Sequence, residues 1–191
     1  MKIYLMRHGE STSDIEDRFG GDYDDHLTEK GKEQAEKLAE KLLNKEIEII
    51  FSSPKLRAKE TAEILRESLG CNLEIVDNIR EQNRYGVLTG MKKLEGKEKH
   101  PDQVELIKNP YNNAKDGEPS EPFRKRVIKA FNEITNSAYN AIAVISHGGP
   151  IRYLMREILG EDKLDHLEDC AVIEIQKDGD SLNISKMDGV F

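Results

Sequence analysis

The 191-residue sequence contains no tryptophan, only two cysteines, and no apolar run long enough to cross a bilayer. Cys71 and Cys170 are far apart and form no CxxC pair, so the sequence predicts neither a zinc site nor a disulfide framework. The chain begins in a strand-like segment without a secretory leader, which favours the cytoplasm. The net charge of −8 argues against a nucleic-acid partner, because phosphate backbones need a basic surface.

Short apolar segments alternate with helix-period segments, which predicts one α/β domain over residues 1–191. We expect a three-layer α/β/α sandwich around a mainly parallel sheet with an antiparallel edge. The expected strands are residues 3–6, 47–51, 73–76, 141–145, 171–175 and 182–185. Asp178-Gly179 predicts a two-residue turn between the last two strands. Helix boundaries are indicated by Thr28, Ser53 before Pro54, Ser120, Pro150 and Gly160.

Residues 86–121 have little sustained periodicity and are broken by glycine and proline. A structureless loop of this length is uncommon unless it is functional, so we predict an excursion with short helices that roofs the active site. Tyr85, Arg84 and Lys92 are the candidates for recognising the part of the substrate beyond its reacting group.

Two histidines occur in the same local setting, after a strand-like segment and before glycine. They are found in Arg7-His8-Gly9-Glu10 and in Ser146-His147-Gly148-Gly149. Side chains at the carboxyl ends of parallel strands project into the crevice where α/β proteins bind ligands. Arg7, and Arg57 early in a following helix, add guanidinium groups that match phosphate oxygens. The combination predicts phosphoryl chemistry, with His8 as nucleophile and His147 at an anion-binding helix start.

Other polar residues lack such a setting. His26, His100 and His166 are predicted to be ordinary surface residues. The acidic residues Asp22, Asp24 and Asp25 lack the spacing of a calcium loop, so we expect a solvated turn.

Several separated motifs, in the same order, resemble the histidine phosphatase superfamily, also called the phosphoglycerate mutase-like proteins. They are Leu5-Met6-Arg7-His8-Gly9-Glu10-Ser11, Arg18-Phe19-x-Gly21, Leu27-Thr28-x-x-Gly31-x-x-Gln34-Ala35, Ser52-Ser53-Pro54-x-x-Arg57-Ala58-x-x-Thr61-Ala62 and Ile145-Ser146-His147-Gly148-Gly149-x-Ile151-Arg152. The resemblance covers nearly the whole chain. It implies a phosphoglycerate mutase-like fold and a reaction that needs no metal or other cofactor.

The resemblance also implies roles for particular residues. His8 would be phosphorylated, and Arg7, Arg57 and His147 would complete the phosphate pocket. Further phosphate or substrate contacts are expected from Ser11, Gly148 and Gly20.

The sequence departs from the family pattern at two positions. In the family, a proton-donating glutamate follows the third strand. Counting back from Gly86 places this position at Gln82, but the Arg80-Glu81-Gln82 string favours Glu81 as the proton donor. Asp14 stands where the family commonly has an asparagine that helps to hold the phosphate. We predict that Asp14 pairs with Arg18, four residues later, and faces away from the phosphate.

The sequence therefore predicts a metal-independent phosphomonoester hydrolase that acts on a small phosphorylated metabolite. The alternative is a phosphoglycerate mutase, but mutases of the family carry a longer excursion and a longer C-terminal tail. A non-catalytic phospholigand-binding protein is a further alternative. A zinc deaminase built on His8-Gly9-Glu10 is excluded by the lack of a Pro-Cys-x-x-Cys partner. The sequence predicts no oligomeric state.

Overall fold

The structure is a computed structural model and describes residues 1–110, 112–160, 164 and 166–191. Its described strands form one sheet in the order β3-β2-β4-β1-β5-β6. They are β1 (Lys2–Arg7), β2 (Ile49–Ser52), β3 (Asn72–Ile75), β4 (Ala141–Ser146), β5 (Leu167–Asp178) and β6 (Ser181–Val190). The neighbours among β1 to β4 are parallel, whereas β5 and β6 pair antiparallel. The predicted mainly parallel sheet with an antiparallel edge is confirmed.

Helices cover both faces of this sheet. The α-helices of the described ranges are α1 (Thr12–Ile15), α2 (Glu29–Leu42), α3 (Leu56–Leu69), α4 (Lys93–Lys99), α5 (Pro101–Leu106), α6 (Ser120–Thr135) and α7 (Gly148–Leu159), of which α2, α3, α6 and α7 pack on the sheet. The apolar stripes of α2 and α3 pack with Tyr4 and Met6 of β1, while those of α6 and α7 pack with Ile3 and Leu5. Alternate residues of one strand thus face two different helix layers, which makes the predicted three-layer sandwich.

The helix ends follow the sequence signals in part. Thr28 caps α2 by accepting a hydrogen bond from the Gly31 amide, and Gly160 ends α7 in the left-handed conformation, as predicted. The Ser53 prediction is wrong, because Lys55 is the N-cap of α3 and Pro54 precedes the helix. The Ser53 hydroxyl is used elsewhere, in a contact with His147.

Two other predicted helix starts are shifted. Ser120 is the first residue of α6 and does not cap it, since Pro119 is the N-cap. Likewise α7 begins at Gly148, two residues before Pro150, with His147 as its N-cap.

The antiparallel hairpin is longer than the sequence indicated. Asp178 pairs with Ser181, so the turn residues are Gly179 and Asp180, and the predicted turn is displaced by one position. Gly179 takes the first turn position with a φ of 60°, a conformation that favours glycine.

The excursion over residues 86–121, of which Tyr111 lies outside the described residues, contains α4, α5 and a 3-10 turn at Gly86–Leu88. Leu88, Ile107 and Ala114 bury a small apolar cluster with Phe19. Among its described residues, only Lys93 lines the cavity above His8. Within the described ranges, no helix combines the length and the apolar character needed to span a membrane.

Candidate active site

The two histidines meet because β1 and β4 are adjacent and parallel. Arg7 at the end of β1 lies opposite Ser146 at the end of β4, so the next residue on each strand is a histidine at the same sheet edge. The ring centroids of His8 and His147 are 5.0 Å apart, and both residues are buried.

A cavity of about 320 Å³ opens above His8. It is lined by most of the predicted site residues: Arg7, His8, Ser11, Asp14, Gly20, Arg57, Glu81, Tyr85 and Gly148. The predicted site residues His147, which is fully buried, and Arg84 are not among its lining residues. Its other lining residues, which had no predicted site role, are Ser13, Asp17, Arg18, Gly21, Lys93 and Arg152. In the part of the chain that the structure describes, no three His, Cys, Asp or Glu side chains converge as a metal-binding group.

The hydrogen bonds of His8 define its tautomer. Its Nδ1 lies 2.7 Å from the Gly9 carbonyl oxygen, which can only accept a hydrogen bond, so Nδ1 carries the proton. Arg57 Nε, which can only donate, lies 3.0 Å from His8 Nε2. Nε2 is therefore unprotonated, and its lone pair, which a nucleophile requires, accepts the Arg57 N–H at the cavity.

Close backbone packing holds the loop that follows His8. A side chain on Gly9 would place its Cβ 2.5 Å from the Gly31 carbonyl oxygen, at the start of α2, so this approach requires glycine. The Gly9 amide also donates to Thr61 Oγ1 of α3 at 3.2 Å. The loop is thus fixed by both helices on that face of the sheet.

Electrostatics keep both imidazoles neutral. Burial, followed by the positive charges of Arg57 and Arg7, lowers the pKa of His8 well below 6.5. Burial and Arg57 lower the pKa of His147 in the same way, with His8 as a further contributor. The nucleophilic form of His8 is therefore populated at neutral pH.

His147 is oriented by Ser53, the residue that follows β2. Its Nε2 lies 2.7 Å from Ser53 Oγ, while its Nδ1 is buried and has no hydrogen-bond partner among the described residues. A buried polar nitrogen without a partner is costly, and an oxygen of a bound anion would satisfy it.

Arg57 is held at the cavity by a buried acid. Its Nη1 lies 2.5 Å from Asp25 Oδ1, and its Nη2 donates to the Gly21 carbonyl oxygen. Burial by itself would raise the pKa of Asp25, but the Arg57 charge and hydrogen bonds from Ser13 and Ser11 outweigh it, so the pKa is lowered.

The prediction that the acidic residues form a solvated turn is therefore wrong for Asp25. This residue is 2% exposed because it compensates a buried guanidinium. Asp24 accepts a hydrogen bond from the Leu56 amide at the start of α3, and Asp22 pairs with Lys55.

Arg7 is held from the other side by the start of β5. It donates to the Leu167 carbonyl oxygen at 2.6 Å and pairs with Asp169 at 3.1 Å. Burial, together with the Asp14 and Glu10 carboxylates, raises the pKa of Asp169, although Arg7 acts in the opposite direction. Asp169 was not predicted, because no local motif marks it.

The predicted pairing of Asp14 with Arg18 is also wrong. Asp14 lines the cavity and accepts hydrogen bonds from both the amide and the hydroxyl of Ser11, at 2.9 and 2.8 Å. Arg18 instead pairs with Glu16 and donates to the Gly90 carbonyl oxygen. Asp14 is the third residue of α1, so its carboxylate turns back to cap that helix.

Glu81 lies in the cavity and is held by two backbone amides. Its Oε2 accepts from the Gly149 amide at 3.0 Å and its Oε1 from the Gln82 amide at 2.8 Å. A Cβ on Gly149 would lie 2.1 Å from Oε1, so the carboxylate can approach only a glycine. The Gln82 side chain donates to the Glu118 carbonyl oxygen and does not line the cavity.

A half-buried arginine of α6 fixes the loop that carries Glu81. The Arg126 guanidinium donates to the backbone carbonyl oxygens of Asn78, Arg80 and Glu81, and it pairs in bidentate fashion with Glu118. All five of its N–H donors are therefore used. Sequence reasoning missed this residue, since an arginine on an amphipathic helix gives no signal of its partners.

Two of the predicted recognition residues lie outside the cavity. The Arg84 side chain donates to the carbonyl oxygens of Ile107, Asn109 and Asn112, so it holds the excursion together. Lys92 is the N-cap of α4, and the neighbouring Lys93 faces the cavity, paired with Asp17 at 2.5 Å. Of the predicted recognition residues, Tyr85 lines the cavity, whereas Arg84 and Lys92 do not.

Acidification is expected to destabilise the fold through the two buried imidazoles. Because the pKa values of His8 and His147 are lowered well below 6.5, the unfolded chain binds protons below pH 6.5 that the folded chain does not. The free energy of unfolding should therefore fall as the pH drops below 6.5, by up to about 1.4 kcal/mol per pH unit for each ring. Urea unfolding at pH 7.5, 6.5 and 5.5 measures this slope.

The His147→Asn variant should show a shallower slope than the wild-type protein. The same substitution at the exposed His166 is the control and should leave the slope unchanged. A wild-type free energy of unfolding that stays constant from pH 6.5 to 5.5 would contradict the argument.

The site thus consists of two neutral imidazoles and anchored guanidiniums at the carboxyl edge of an α/β sheet, which defines a phosphate-handling α/β protein. The model of the histidine phosphatase superfamily (branch 1) matches residues 3–188. The chain therefore belongs to the histidine phosphatase superfamily.

Named relatives agree with this assignment. The chain is 32% identical over 167 residues to phosphoserine phosphatase 1 of Hydrogenobacter thermophilus, covering 85% of this chain and 78% of the relative. It is 26% identical over 182 residues to the "Probable phosphoglycerate mutase GpmB" of Erwinia tasmaniensis, covering 92% and 84%. The solved structure of Bacillus stearothermophilus YhfR superposes with a TM-score of 0.87 at 25% identity, covering 98% of this chain and 96% of that one. Together they support phosphatase or mutase-like activity.

Proposed function

We propose that this protein is a metal-independent phosphomonoesterase that forms a phosphohistidine on His8. The main support is the hydrogen bonding of His8, in which a protonated Nδ1 leaves the Nε2 lone pair in a cationic cavity. The lowered pKa of His8 keeps this lone pair available.

In the first step, a phosphate oxygen takes over the Arg57 Nε–H donor, and the freed Nε2 lone pair attacks phosphorus. The bond from phosphorus to the alcohol oxygen breaks, and Glu81 gives its proton to that oxygen. Arg7, Arg57 and the unpartnered Nδ1 of His147 stabilise the charge on the other three phosphate oxygens.

In the second step, a water attacks the phosphorus and Glu81 takes the proton from it. The P–N bond breaks, inorganic phosphate leaves, and His8 returns to its starting tautomer. We include metal independence in the proposal because the guanidinium groups, which stay charged at any working pH, supply the positive charge that phosphoryl transfer needs.

The substrate in this proposal is a small phosphorylated metabolite, which matches a cavity of about 320 Å³. The relatives' names refer to phosphoserine and phosphoglycerate, both small phosphomonoesters. The proposal includes a cytoplasmic location, which fits two separate, unpaired cysteines.

Release of phosphate from p-nitrophenyl phosphate, with EDTA present, tests the proposal. We expect steady turnover that EDTA does not reduce. Loss of activity on chelation, restored by added metal, would contradict metal independence. Conversion of 3-phosphoglycerate to 2-phosphoglycerate without net phosphate release, followed by NMR, would favour the mutase. A folded protein that binds these compounds and turns over neither would favour the phospholigand-binding alternative.

A further inference from the structure

The cations that line the cavity differ in their pairing. Arg7, Arg57 and Lys93 each have a carboxylate partner, in Asp169, Asp25 and Asp17, and Arg18 pairs with Glu16. Arg152 is exposed, and within the described ranges it forms no hydrogen bond or ion pair. This guanidinium is therefore available to a ligand.

The Arg152 guanidinium lies beside the backbone at the start of α7. Its side chain runs back along α7, and its Nη1 would lie 2.8 Å from a Cβ on Gly148. Gly148 follows His147, and the next residue, Gly149, contacts the Glu81 carboxylate. Arg152 thus lines the cavity at the start of α7, where the next residue, Gly149, holds the carboxylate that would protonate the leaving oxygen.

We propose that Arg152 forms a carboxylate subsite, so that the preferred substrates are phosphomonoesters whose alcohol part carries a carboxylate. A guanidinium presents a planar pair of donors that matches a carboxylate in bidentate geometry. The cavity of about 320 Å³ that Arg152 shares with Arg7 and Arg57 suits a small molecule that carries both anions. The subsite rests on the proposed function, because it assigns the alcohol part of the same substrate.

Two phosphomonoesters that differ only in this group provide the test. O-phosphoserine and O-phosphoethanolamine share the phosphate, the ester oxygen and the amino group, and only the first carries a carboxylate. We expect the wild-type protein to prefer phosphoserine in kcat/KM. Arg152→Gln should reduce kcat/KM for phosphoserine by roughly 10- to 100-fold, mainly through KM. It should change the values for phosphoethanolamine and p-nitrophenyl phosphate by less than about 2-fold.

Arg156→Gln is the matched control. Arg156 lies one turn further along α7, is exposed like Arg152, and pairs with Glu157 without lining the cavity, so the same change of charge is made outside the cavity. This variant should behave like the wild-type protein with all three compounds.

Other results would overturn the subsite. An equal loss with all three compounds would make Arg152 a ligand of the phosphate itself. An unchanged preference in Arg152→Gln, or no preference in the wild-type protein, would mean that no carboxylate is recognised there. If the wild-type protein turns over none of these compounds, the proposed function fails. Calorimetric binding of phosphoserine that Arg152→Gln weakens, and Arg156→Gln does not, would then still support the subsite.

Discussion

Replacing His8 with alanine is expected to abolish turnover and the covalent intermediate together. The variant lacks the Nε2 lone pair, and no other described side chain occupies its place between Arg57 and the cavity. We expect kcat to fall on the order of 10⁴-fold or more, since removal of a nucleophile leaves only binding and charge stabilisation. Rapid quenching with a ³²P-labelled substrate measures the intermediate directly.

The stability of the label in acid and in alkali identifies the bond that holds the phosphoryl group. A phosphoramidate is stable in alkali and labile in acid, so the wild-type protein should retain the label only after an alkaline quench. His8→Ala should carry none, whereas His166→Ala, a substitution at an exposed histidine, should be labelled like the wild-type protein. An alkali-stable label on a folded His8→Ala protein would place the nucleophile at another residue.

The sequence could predict the meeting of the two histidines because the relevant signals are local. A strand-length apolar run ending in His-Gly occurs twice, and parallel neighbouring strands end at the same sheet edge. Placing His8 beside His147 then required only that β1 and β4 be neighbours. The Thr28 cap and the Gly160 helix end were predictable for the same reason, since each depends on a few adjacent residues.

The anchoring acids were not predictable in this way. Asp25 lies 32 residues before Arg57, and its burial depends on a guanidinium that the chain brings to it only in the folded state. From sequence it is one of three acidic residues in a polar stretch. The Asp14 prediction failed for a different reason. Helical spacing favoured a pair with Arg18, whereas the Asp14 carboxylate accepts a hydrogen bond from Ser11 at the start of α1.

The same limit applies to the residues that hold Arg7 and Glu81. Asp169 is separated from Arg7 by more than 160 residues, and Arg126 donates to a carbonyl oxygen 45 residues away. Such contacts depend on how helices and strands pack across the sheet, which periodicity does not determine. A fixed Arg7 and a fixed Glu81 are the geometric conditions for the proposed chemistry.

Replacing Glu81 with glutamine is expected to separate the two chemical steps. An alkyl phosphate needs a proton on its leaving oxygen, so its turnover should fall by about 10²- to 10³-fold. The p-nitrophenolate group leaves without a proton, so His8 should still be phosphorylated by p-nitrophenyl phosphate. Hydrolysis of the phosphohistidine then lacks its base. Stopped-flow absorbance should show a burst of one p-nitrophenolate per active site followed by slow turnover.

The neighbouring glutamine provides the control for the position of this carboxylate. Gln82 donates to the Glu118 carbonyl oxygen and does not line the cavity, so Gln82→Ala should leave the burst absent and alkyl phosphate turnover within a few-fold of the wild-type rate. Adding Gln82→Glu to Glu81→Gln should not restore activity, because the new carboxylate points away from the cavity. Recovery of alkyl phosphate turnover in that double variant would move the proton donor to position 82. Equal losses with both substrates and no burst would remove Glu81 from the leaving-group step.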